Sequence, residues 1–239
     1  MFKFLQTPTA LLMWSQKWQT IPLVFGIVLT SIGLWLALIW SPVDYVQGET
    51  VRIMYVHVPA SWGAMLTYFA MAIASGYAFI KQNPIAHWLT RAMAPVGLLL
   101  SLISLITGAI WGKPTWGDWW VWDARLTSML ILCLLYASYI ITAYCVKPEQ
   151  QALRIAAILA IIGSINLPII KWSVTWWHTL HQPASILRLA KPAIHWMMMV
   201  PLFVMAFGLA CLCFYLFLQI LCNELQRRKL IALLLRQRE

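Results

Sequence analysis

The sequence predicts an all-α integral membrane protein with about six transmembrane helices, both termini cytoplasmic, and a tryptophan-rich outward loop between helices three and four. Three observations lead there. Hydrophobic residues make up 62% of the 239 residues and charged residues 10%, against roughly 45–50% and about 25% in soluble domains. The apolar residues fall in blocks of roughly 18–25, the length that crosses the hydrocarbon as helix. The cations are shared unevenly between alternate connectors.

The blocks cover residues 21–40, 58–80, 93–111, 126–146, 155–170 and 196–222, read as one polytopic domain over 1–239. None contains Asp, Glu, Lys or Arg. A charge at bilayer depth is costly and marks ion pathways or proton relays, so its absence argues against an ion-coupled pump and moves the chemistry to the helix ends. The first block follows some twenty mixed residues and is long enough to span, which reads as a signal anchor rather than a removable signal peptide.

Net charge is +10, and its distribution explains it without nucleic acid. With the N-terminus inside, the inner segments carry eleven Lys and Arg and the outer ones six; cationic loops stay in the cytoplasm. The basic tail from Arg227 to Arg238 is then a topology signal that also attracts anionic lipid.

Inner connectors are short, around Pro84 and Pro148, whereas the outer ones, Ser41 to His57, Gly112 to Arg125 and Lys171 to His195, are longer and rich in Trp, His and Pro. Within the second, Trp116, Trp119, Trp120 and Trp122 join Trp111 to give five indoles, interleaved with Asp118, Asp123 and Arg125. A single interfacial Trp is a membrane anchor. Five in one connector offer a π-rich surface for a large planar apolar ligand. Pro114 and Thr115 are expected to start a short helix that puts Trp116, Trp119, Trp120 and Asp123 on one face.

Several classes are disfavoured. The five cysteines lie in or at the end of apolar blocks, where thiols act as small apolar groups, and Cys211-x-Cys213 has the wrong spacing for zinc or redox work. There is no Cys-x-x-Cys-His for covalent haem attachment. Gly112-Lys113-Pro114 lacks the features of a P-loop, so any ATP-driven step requires a partner subunit. No acidic pair or Ser-His-Asp set is placed for hydrolysis, and the chain reads as a binder rather than an enzyme.

Of the five histidines, His57, His178, His181 and His195 face outward and His87 inward. Imidazole is a normal axial ligand of haem iron. Two from different loops, His57 and His181, could clamp a porphyrin against the indoles, with His178 and His195 as competitors. Arg125, Lys113, Arg52 or Lys171 could pair with its propionates.

Trp116-Gly117-x-x-Trp120-x-Trp122-Asp123-x-Arg125-Leu126-Thr127 resembles the WWD signature of haem-handling membrane proteins at every defined position. With six spans, a histidine at the start of the second and another in the last outward loop, the chain resembles the CcmC family of cytochrome c maturation proteins over essentially its whole length. The resemblance implies a WWD loop, residues 111–128, that binds haem b non-covalently at the periplasmic face of the bacterial inner membrane, with His57 and His181 as iron ligands and Trp116, Trp119, Trp120, Trp122, Asp123 and Arg125 around it. It implies delivery of the haem to the chaperone CcmE, and a complex with the ATP-binding cassette subunits CcmA and CcmB and the small CcmD. The alternative is a permease subunit that moves haem or another hydrophobic solute with an ATPase partner.

Overall fold

A computed structural model describes residues 7–177, 179–182, 186 and 193–237. Eight α-helices are formed among them: α1 (Pro8–Trp18), α2 (Thr20–Trp35), α3 (Met54–Lys81), α4 (Pro84–Trp116), α5 (Ala124–Cys145), α6 (Glu149–Gly163), α7 (Asn166–Trp176) and α8 (Trp196–Arg236). A π-helical turn, Leu36–Trp40, continues α2, and a 3-10 turn, Glu49–Ile53, leads into α3. Taken together as continuous rods, these give six helices long and apolar enough to cross a membrane. The chain is a multi-pass membrane protein.

The helix ends follow local chemistry. Thr7 and Asn83 cap α1 and α4 through their side chains, and each is followed by a proline at the first helical position, where the missing N–H costs nothing. Asp123 caps α5 by accepting the Leu126 N–H at 2.7 Å. Gly117 closes α4 at φ 87°, a left-handed conformation that glycine adopts without a steric penalty.

Two expectations about boundaries change. The rods outrun the apolar blocks: the first begins at Pro8, and α8 continues to Arg236. Packing and caps, rather than hydropathy alone, set where a helix stops. The short helix expected from Pro114 and Thr115 is absent. Those residues form the last turn of α4, and residues 117–123 are non-helical, because the left-handed Gly117 breaks the pattern and Asp123 starts a new one. The shared face expected for Trp116, Trp119, Trp120 and Asp123 therefore does not exist.

The bundle interior is built on tyrosines from α3 and α5. Tyr68, Tyr136 and Tyr139 are buried with Met71, Leu100 and Leu132. The Tyr136 hydroxyl donates to the Ala64 carbonyl at 2.7 Å and that of Tyr139 to Thr90 Oγ1 at 2.7 Å, which meets the requirement that a buried hydroxyl find a partner. Gly97 admits the Tyr136 ring, since a Cβ there would lie 2.0 Å from it. Outward-facing Phe25, Leu66, Ile106 and Phe207 remain exposed, as lipid-facing positions should. This core holds α3, α4 and α5 at fixed depth and so fixes the site at one end of the bundle.

Candidate functional site

A cavity of about 330 Å³ lies at the end of the bundle where residues 41–53, 117–123 and 179–182 lie between the helices. His57 and His181 both line it. The first is carried by the opening turn of α3, the second by the connector before α8. Two residues 124 positions apart thus share one chamber.

Each imidazole has its Nδ1 anchored. Asp123 Oδ2 lies 2.8 Å from His181 Nδ1, and because a carboxylate only accepts, the imidazole donates. At His57 the partner is Thr107 Oγ1, 3.1 Å from Nδ1. Thr107 spends its one proton on the Ile103 carbonyl at 2.6 Å, so it too accepts. Both rings are thereby held in the Nδ1–H form, with the lone pair on Nε2. A histidine that donates through one nitrogen to a fixed acceptor is the arrangement of a metal-ligating imidazole.

Aromatic rings brace the pair. The Trp111 indole meets His57 edge-on, centroids 5.7 Å apart at 76°, and Trp116 meets His181 at 4.8 Å and 68°. Trp111 is itself fixed by its Nε1–H donating to Gln47 Oε1 at 2.9 Å. Gly108 gives His57 room, since a Cβ there would sit 3.0 Å from Cε1. Burial pushes the His181 imidazole below the usual histidine pKa, and Asp123 partly offsets this by favouring the charged form. The net shift favours the neutral ring that a metal requires.

The remaining walls are chiefly apolar, from Met54, Met65, Leu105, Met129, Ile170 and Met198, with two cations, Arg125 and Lys171, one carboxylate, Asp44, and the polar side chains of Ser61, Ser104, Thr115 and Gln182. Arg125 Nε is buried without a hydrogen-bond partner among the described residues. The other two candidate cations are committed elsewhere and do not line the cavity. Arg52 bonds Glu49 and the Ala37 carbonyl, and Lys113 donates to the Gly117 carbonyl at 2.7 Å.

The tryptophans of the loop divide. Trp116 lines the cavity, whereas Trp119, Trp120 and Trp122 are not among its lining residues. Trp119 and Trp122 are 59% and 75% exposed, and Trp120 packs edge-on against Trp122 at 5.4 Å. His195 is exposed and caps α8, accepting the Met197 N–H at 3.3 Å; it does not line the cavity. His178 lies outside the described residues.

Thr107, Gly108 and Gln47 escaped the reading of the sequence. A signal was present: Ser101, Ser104 and Thr107 recur every three residues in an otherwise apolar span, a polar stripe on one helix face. Ser104 Oγ bonds Ser61 Oγ at 2.6 Å, one turn below His57.

The amphiphilic chamber, with apolar walls, two oriented imidazoles and cations, is suited to a flat apolar molecule with a central metal and acidic edges. Residues 1–236 match the family model described as "CcmC: Heme exporter protein C". The chain is 42% identical over 211 residues to heme exporter protein C of Bradyrhizobium diazoefficiens, covering 88% of this chain and 80% of the relative. It is 47% identical over 190 residues to heme exporter protein C of Haemophilus influenzae, covering 80% and 77%. It is also 44% identical over 175 residues to a ccmC-like mitochondrial protein of cytochrome c biosynthesis from Marchantia polymorpha, covering 73% and 74%. The chain belongs to the CcmC, heme exporter protein C, family of membrane proteins.

Proposed function

We propose that this protein handles haem in cytochrome c maturation, binding it non-covalently as cargo at the periplasmic face of the inner membrane and presenting it to the chaperone CcmE. The observation that carries the reading is the pair His57 and His181 in one largely apolar chamber, each with Nδ1–H fixed on an acceptor and with no hydrogen bond to Nε2 among the described residues. These would be the two axial ligands of the iron. Arg125 and Lys171 would meet the propionates, while Trp111 and Trp116 hold the imidazoles in place.

Trp119 and Trp122, exposed on the same loop, serve in this reading as the rim over which the macrocycle edge passes to the chaperone. Trp120 supports Trp122 from behind. The cavity lies at the lower end of the roughly 300–1,000 Å³ of ligand pockets, which suits a carrier that must give its ligand up. CcmA and CcmB would supply the ATP-driven step and, with CcmD, complete the complex. The family membership and the inward bias of cations support this assignment, and the chain itself is read as a transfer subunit rather than an enzyme.

The test is transfer. Haem-loaded protein in detergent is mixed with apo-CcmE and haem on the chaperone is followed with time. Loading by the wild type and its loss with His57→Ala are expected; equal loading by both proteins would overturn the reading.

A further inference from the structure

A second cavity, of about 340 Å³, lies at the opposite end of the bundle. Its wall contains Arg91, Lys147, Arg227 and Arg228, with Tyr144 and Glu149, and continues onto Ile231 and Leu235 of α8. None of these residues belongs to the haem chamber.

The cations outnumber the carboxylates that serve them. Glu149 bonds Arg91 at 2.6 Å and also pairs with Arg228. Glu224, behind the wall, lies 3.3 Å from Arg91, 2.7 Å from Arg228 and 3.4 Å from Arg227. Four cations against two carboxylates leave a surplus of two positive charges. Arg91 is 3% exposed, and its Nε has no hydrogen-bond partner among the described residues. Its guanidinium also sits 4.1 Å from the Tyr144 ring, and that of Arg228 4.9 Å from Trp88. These contacts fix Arg91 and Arg228, so the charge left over is that of Lys147 and Arg227, which lie exposed on the cavity wall where a ligand can reach them.

The apolar half of the wall is equally specific. The 41 residues of α8 span about 62 Å at about 1.5 Å per residue, roughly twice the hydrocarbon thickness. Its last turns therefore project past the membrane core, and Ile231 and Leu235 lie on the side of the cations away from the bilayer, whereas Tyr144 and Val146 line the cavity at the membrane end of α5. A cationic recess whose wall continues toward the bilayer over Tyr144 and Val146 matches a molecule with an anionic head and an alkyl tail. Basic recesses between membrane helices bind phospholipid heads in this way.

We propose that this cavity is a binding site for an acidic phospholipid, its phosphodiester held by Lys147, Arg227, Arg228 and Arg91, and its acyl chains running into the bilayer past Val146 and Tyr144. The site stitches the α5–α6 connector to α4 and α8, independently of what the far chamber holds.

The full-length protein in detergent is titrated with phosphatidylglycerol or with phosphatidylcholine of the same acyl chains, and bound lipid is counted by native mass spectrometry. Retention of phosphatidylglycerol about tenfold above phosphatidylcholine is expected, and Lys147→Gln with Arg227→Gln, both outside the buried part of the network, should abolish the preference. A large excess of inorganic phosphate should not displace the lipid; displacement would point to a free anion instead and overturn the proposal. Equal retention of the two lipids, or a preference that the double variant keeps, would overturn it too. So would lipid retention unchanged in a variant that instead loses its co-purifying ATP-binding subunits. The haem absorbance of the double variant should match the wild type, so failure here is separable from failure of the haem reading.

Discussion

Asp123 and His181 form a single unit: one carboxylate oxygen caps α5 through the Leu126 N–H at 2.7 Å, and the other receives His181 Nδ1–H at 2.8 Å. Asp123 thus fixes a helix terminus and a histidine 58 residues away at the same time. The tryptophan-rich loop and the connector before α8 are coupled through it.

Asp123→Asn separates the two duties. Asparagine caps helices as well as aspartate, so expression and thermal stability should stay near wild type, while the anionic acceptor for His181 is lost. Haem affinity should fall about 10- to 100-fold, the usual cost of removing such a supporting group. Asp123→Ala should add about 1 kcal/mol of lost stability from the missing cap. Haem titration and thermal melts of the two variants distinguish these effects.

The protonation of His181 follows from the same contact. Burial lowers its pKa and Asp123 raises it, burial prevailing, so in the haem-free protein the ring should charge only below the ordinary imidazole value of about 6.5. A group depressed on folding contributes stability that is complete above its unfolded pKa and lost as pH falls through the folded one. In Asp123→Asn the raising influence is gone, and the titration should move to still lower pH. Side-chain NMR of labelled histidine, assigned with His181→Ala, reads both midpoints; an upward move in Asp123→Asn would refute the assignment.

At the other imidazole, Thr107→Val removes the acceptor with little change of shape. His57 Nδ1–H is then buried without a partner, and its tautomer is no longer fixed. About tenfold weaker haem binding is expected, restored by Thr107→Ser. Equal binding by the valine variant would show that the 3.1 Å contact is incidental.

The tryptophans should separate by position. Trp116→Leu, next to His181, should lower both haem retention and transfer, since an edge-to-face contact is worth about 0.5–1.5 kcal/mol. Trp119→Ala and Trp122→Ala, at 59% and 75% exposed residues, should retain haem and slow its delivery to CcmE. Absorbance of the purified protein and chaperone loading measure the two steps separately.

The six spans were legible because charge-free blocks of bilayer length have few alternative structures. His57 and His181 could be nominated from their outward connectors, and Asp123 as a loop-fixing carboxylate. What could not be read was which indoles face the chamber. Helical spacing put Trp116, Trp119, Trp120 and Asp123 together, but a single left-handed residue, Gly117, ends that periodicity. Thr107 and Gln47 act across 50 and 64 residues of sequence, contacts that only the packing of α3 against α4 and of the connector before α3 creates. The cationic recess at the opposite end of the bundle was visible merely as a basic tail, because Arg91 joins it from another helix.

The absorption spectrum of the purified protein decides whether the two imidazoles hold haem iron. A Soret band of bis-imidazole character is expected that weakens in His57→Ala and in His181→Ala and disappears in the double variant. Full haem content and an unchanged band in the double variant would contradict it.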